Sequence, residues 1–389
     1  MPTIVYLVHG MGCGTPDGKP QPAGTDWANE ATAAFSWLCS TFKLPAPSVV
    51  SPTDTKPPKN PPGGTDADAI WVVPLSYYSI FDEFRASSTD RAALVKGITS
   101  VLSDADITRL TSQTFAWKNC LDVLLWWADD AQTNNRTTAL LGKGITAVNE
   151  LAMSIPGATT RRIVVSHSLG TAVATSTLLD LATKQVWRNS TGFEAFFTLA
   201  NVAPFLLDED EVYSPSLLPD GDESLIHPQM YNAHNECDPI PWLLFWRAFS
   251  PDRAGKTATD WKNAQTNEFF QDVETCDVAA PAGVVPDITG VHGFSNYMLA
   301  PDIALRLATH VRGAGFTSQE LAAIDYGTRW TSLPHLQCAK SASAFTDLRT
   351  AVTKYKSGGP AMAGSNPKVD WISRLIDGVE LLTAFETKC

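Results

Sequence analysis

The stretch Ser166-His167-Ser168-Leu169-Gly170 constrains this chain more than any other. It follows the β-branched run Ile163-Val164-Val165 and precedes Thr171-Ala172-Val173-Ala174, where good helix formers begin. A small-x-Ser-x-Gly pentapeptide between a strand and a helix is the pattern of a sharp bend that displays a serine hydroxyl. The bend is crowded, so the residues two before and two after the serine must be small. Gly170 meets that demand fully. Ser166 stands where glycine is usual and meets it less well. An ordinary strand-helix junction with surface serines shares the pattern, so the rest of the chain must supply the other parts of a site.

Apolar runs of strand length alternate with helical patterns around that bend. Residues 3–8 are continuously apolar, as expected of a strand buried on both faces of a parallel sheet. Residues 70–73, 163–165 and 196–199 read as further strands, 229–233 as a weaker one, and 284–289 as a last strand leading toward His292. Helical spacing marks 27–42, 90–102, 117–130, 137–151 and 171–182. The alternation predicts an α/β fold with a central, mostly parallel sheet flanked by helices. Residues 1–300 are expected to form the catalytic domain, with a proline-rich, loop-rich insertion over 15–68 as a candidate lid or cap. Residues 301–389 are expected to be a C-terminal helical extension packed on the same domain.

Composition narrows the partners. A net charge of −12 repels a nucleic-acid backbone, so nucleic acid is not an expected partner. No apolar stretch approaches the roughly 20 residues needed to span a bilayer. The chain enters its first strand without a basic and apolar leader. Its seven cysteines are scattered and show no metal-ligand spacing. A reduced, cytoplasmic protein is the expectation.

A serine hydroxyl is a weak nucleophile that needs a base within reach, and the base needs an orienting acid. The acid candidate is Asp238, in Asn235-Glu236-Cys237-Asp238-Pro239, where Pro239 keeps the exit from a strand end extended. Asp208 and Asp210 are its rivals. The base candidate is His292, in the glycine-flanked loop Gly290-Val291-His292-Gly293. His9 precedes the serine, His167 adjoins it, and His227 and His234 precede Asp238. His310 lies in a helical pattern and His335 in the extension. Two backbone N–H groups should hold a developing oxyanion. Leu169 supplies one, and Met11, in His9-Gly10-Met11-Gly12, is favoured for the other. Gly10, His167 and Trp242 are the expected substrate contacts. Trp242 heads the apolar run Trp242-Leu243-Leu244-Phe245-Trp246, which suits an acyl pocket and a buried packing element equally well. Tyr77 and Tyr78, after the second strand, are weaker pocket candidates.

Taken together, these pieces resemble the α/β-hydrolase superfamily, most of all its bacterial lipase- and esterase-like members. The resemblance implies an α/β-hydrolase fold and a Ser168, Asp238 and His292 triad that cleaves carboxylic esters through an acyl-serine intermediate. It implies a small-molecule or lipid-like ester as substrate and no metal or organic cofactor. Acyl transfer or amide hydrolysis by the same triad, and a catalytically silent binding protein on the same fold, are the alternatives.

Overall fold

A computed structural model describes residues 2–10, 25–58, 69–86, 122–123, 126, 135–155, 159–184, 192–207, 211, 214, 216–217, 226–234, 270–274 and 292–324. Its strands are β1 (Thr3–Val8), β2 (Ser48–Val49), β3 (Ile70–Leu75), β4 (Arg161–His167), β5 (Phe193–Leu199), β6 (Ile226–His234) and β7 (Phe270–Glu274). Its helices are α1 (Thr25–Thr41), α2 (Tyr78–Ala86), α3 (Arg136–Met153), α4 (Leu169–Thr183), α5 (Ala203–Leu206), α6 (Phe294–Met298), α7 (Pro301–Arg312) and α8 (Ser318–Ala322).

The strands form one sheet in the order β2-β3-β1-β4-β5-β6-β7, and every neighbouring pair is parallel. All carboxyl ends therefore share one edge. The chain leaves β1 to build β2 and β3 on one side, then returns to lay β4 on the other. Strand order reverses between β1 and β4. A parallel sheet opens a crevice at such a reversal, outside the strand carboxyl ends.

Both faces of the sheet are covered, which explains the continuous apolarity of β1. Val5 and Leu7 share a buried cluster with Phe35 and Leu38 of α1, Phe294 of α6, and Ile303, Leu307 and Val311 of α7. Tyr6 points the other way, and its hydroxyl donates to the Ile145 carbonyl of α3 at 3.4 Å. Helix α4 lies beside α3 on that face. Thus α7, beyond residue 300, contributes directly to the main core. Local signals set the helix ends. The Asn135 side chain caps α3 by accepting from the Thr138 N–H. Helix α7 starts on Pro301 and stops at Gly313, whose φ of 72° is left-handed.

Two strands depart from the sequence reading. β2 lies within the loop-rich stretch 15–68, and β7 has no strand pattern in the sequence. The strand expected over 284–289 lies outside the described residues, as do the helices expected over 90–102 and most of 117–130. Among the described residues, no helix is long and apolar enough to cross a membrane.

Candidate active site

Ser168 links β4 to α4 with φ 51° and ψ −128°. An L-residue held in such a conformation costs on the order of 1–3 kcal/mol, so the surroundings must enforce it. The Ser168 N–H donates to the Leu199 carbonyl at 2.9 Å. The Thr171 hydroxyl donates to the Ser168 carbonyl at 2.7 Å. The same Thr171 oxygen accepts from the N–H groups of Val202 at 3.0 Å and Ala203 at 3.1 Å. One hydroxyl thereby pins the bend to the segment that follows β5. A Cβ on Gly170 would fall 2.0 Å from the His9 carbonyl oxygen, so this position has room only for glycine. Ser166 is buried, and its hydroxyl donates to the Phe197 carbonyl at 3.2 Å. A small polar residue is thus accommodated there without glycine.

His292 meets the bend from the far side of the sheet sequence. Its Nε2 lies 2.9 Å from the Ser168 Oγ, across 124 residues of chain. The serine is fully buried and His292 partly so. Leu169 is the first residue of α4, so its N–H belongs to the set that a helix cannot satisfy internally.

The loop after β1 forms the opposite wall. A Cβ on Gly10 would sit 2.7 Å from the Ser168 Cβ and 2.8 Å from His167 Nδ1. Buried His9 holds this loop. Its Nδ1 donates to the Gly10 carbonyl at 2.7 Å, and its ring stacks on Tyr77 with centroids 4.2 Å apart. The Tyr77 hydroxyl faces the carbonyls of His9 at 3.0 Å and Gly10 at 3.4 Å. Tyr78 and Trp27 close around the His9 ring at 4.8 and 5.0 Å. The Tyr78 hydroxyl donates to buried Asp122.

Burial pushes the His9 imidazole down to about 4, and the Gly10 hydrogen bond only partly opposes this. His167, also buried, lies 4.9 Å ring to ring from His292. Burial pushes it well below the usual histidine range, and charge on His292 pushes it the same way. At neutral pH both His9 and His167 are therefore neutral, which leaves no cationic imidazole fixed in either wall beside the serine.

The structure brings Ser168, Leu169, Gly10, His167 and His292 to one place, at the β1/β4 reversal. Asp238, Met11 and Trp242, with the rivals Asp208 and Asp210, lie outside the described residues. β6 ends at His234, at the same sheet edge and shortly before Asp238 in the chain. Sequence reasoning missed Thr171, Trp27 and Glu30. Only Thr171 carried a signal, its place directly after Gly170. Among the described residues, no cluster of three or more His, Cys, Asp or Glu side chains is arranged to hold a metal ion. No protein-family model, curated protein or solved structure matches this chain.

Proposed function

We propose that this protein is a serine hydrolase of the α/β-hydrolase type that cleaves carboxylic esters through an acyl-serine intermediate. One observation carries the proposal: the Ser168 Oγ, on a strained bend at the strand carboxyl edge, lies 2.9 Å from the His292 Nε2. That is the nucleophile and base contact such chemistry requires.

In the proposed cycle, His292 Nε2 takes the Ser168 proton as Oγ attacks the ester carbonyl. The N–H of Leu169, with that of Met11 in the same proposal, holds the tetrahedral oxyanion. Asp238 is assigned as the acid that orients His292 and stabilises its imidazolium. His292 then protonates the leaving alcohol as the carbon–oxygen bond breaks. Water, deprotonated by His292, attacks the acyl-serine; His292 then returns the proton to the Ser168 Oγ as the acyl carbon–oxygen bond breaks and the acid is released. The chain order of nucleophile, acid and base supports this reading, as does the position of the bend at the sheet's order reversal.

The test is hydrolysis of a short p-nitrophenyl ester, alongside labelling by a fluorophosphonate. Wild type should turn over the ester and be labelled, and Ser168→Ala should lose both. Labelling without ester turnover would favour acyl transfer or amide hydrolysis. A folded wild type that neither labels nor turns over would sink the proposal and favour a binding role.

A further inference from the structure

We propose that α1 positions His292, through Glu30 and Trp27. This rests on the reading of His292 as the general base. His292 sits just ahead of α6, a helix of only five residues whose Gly293 N-cap offers no side-chain hydrogen bond. So short a helix has little stability of its own and must be fastened from outside. Helix α1 supplies the fastening. The Ser295 hydroxyl, buried and three residues after His292, donates to Glu30 Oε1 at 2.9 Å. One helical turn earlier, Trp27 meets Phe294 edge to face at 5.6 Å. Trp27 also lies 5.0 Å from His9, so a single side chain touches the base-bearing turn and the wall built on Gly10.

The grip is anchored below. Ala31, Ala34, Phe35 and Leu38 of α1 are buried in the same cluster as Phe294, Tyr297 and Met298. Those apolar contacts fix where α6 lies. Glu30 and Trp27 add α1's directional contacts to the turn that follows His292, at the end of α1 that faces the site. Misplacing a reacting group by about 1 Å costs on the order of 10²-fold in rate, so even a partial loosening is measurable. Glu30 is exposed, so its substitution leaves the core intact.

The experiment compares Glu30→Ala, Glu30→Gln, Ser295→Ala and the Glu30→Ala/Ser295→Ala double variant of the full chain. Glu30→Ala should lower kcat on the p-nitrophenyl ester, and the fluorophosphonate labelling rate, by about tenfold with KM and the urea midpoint unchanged. Glu30→Gln keeps an acceptor for Ser295 and should recover most of the loss. The double variant should be no slower than either single one, as expected for two ends of one contact. Wild-type rates in Glu30→Ala, or equal losses in the Ala and Gln variants, would overturn the inference. A wild type inert to both reagents would defeat the proposed function instead. The positioning claim would then be read by NMR of the His292 ring. Glu30→Ala should move its resonances and Glu30→Gln should not, and unmoved resonances in Glu30→Ala would overturn it.

Discussion

At the scale of single residues, the site is assembled by close approach. Gly170 lets α4 start against the end of β1, and Gly10 lets the loop after β1 reach Ser168. Gly170→Ala would place a methyl 2.0 Å from a backbone oxygen that cannot swing aside. It should destabilise the fold by about 3 kcal/mol, seen as a lower urea midpoint, and abolish fluorophosphonate labelling. Ser166→Gly, which restores the usual bend residue, removes one hydroxyl and should shift stability by about 1 kcal/mol while leaving labelling intact. A labelled, fully stable Gly170→Ala protein would mean that the bend is looser than its geometry implies. Tyr77→Phe tests the opposite wall. Without its hydroxyl the His9 and Gly10 carbonyls lose a donor, and ester turnover should fall about tenfold in a folded protein. Ser168 and His292 were legible because chemistry-bearing residue types sat in short, recognisable surroundings. Glu30 was not legible, since its partner is 265 residues away and nothing local distinguishes it from any exposed helix carboxylate.

Among the elements, those buried on both faces announced themselves and those at the sheet margin did not. β1 reads as a strand because six consecutive residues are buried. β2 has two residues, one half-buried and one exposed, and so leaves no pattern to detect. β7, Phe270–Glu274, carries Asp272 and Glu274, the kind of charge that edge strands tolerate and that hides them from a search for apolar runs. The strand pattern of β6 starts only at residue 229, because Pro228 interrupts the strand that begins at Ile226. Opposite β5 the register shifts between Phe193 and Ala195, so two residues of β6, His227 and Pro228, face one of β5. That irregularity is where an interior strand can carry a proline. The join between α4 and the end of β5 depends on Thr171. Thr171→Val keeps its shape but leaves the buried Val202 N–H without its acceptor, while the Ala203 N–H keeps the Asn201 Oδ1 at 3.0 Å. A loss of about 2–3 kcal/mol is expected in urea denaturation, with recovery in Thr171→Ser. A Val variant as stable as wild type would show that the hydroxyl does not tie these elements together.

For the whole molecule, the sheet brings His9, His167 and His292 together at one end and treats them differently. His292 meets the serine, while His9 and His167 are walled in and held neutral. That makes stability depend on pH, and the sign follows from proton uptake. The unfolded chain protonates its histidines as pH falls through about 6.5. The native state refuses a proton on His9 until about pH 4, and on His167 until well below the usual histidine range. Between these limits the unfolded state binds more protons, so stability is full above pH 6.5 and is lost as pH falls toward 4. Each histidine contributes a slope of up to about 1.4 kcal/mol per pH unit in that window. Glu320, held at about 2 by Arg312 and Thr317, has its window below about pH 4.5, under most of this range. Urea midpoints should therefore be level from pH 8 to 6.5 and then decline steadily to pH 4.5. His9→Asn keeps a donor for the Gly10 carbonyl and removes one titrating ring, so its decline should be about half as steep. Equal slopes in the variant and wild type would mean that His9 is not the buried neutral imidazole that braces the wall beside Ser168.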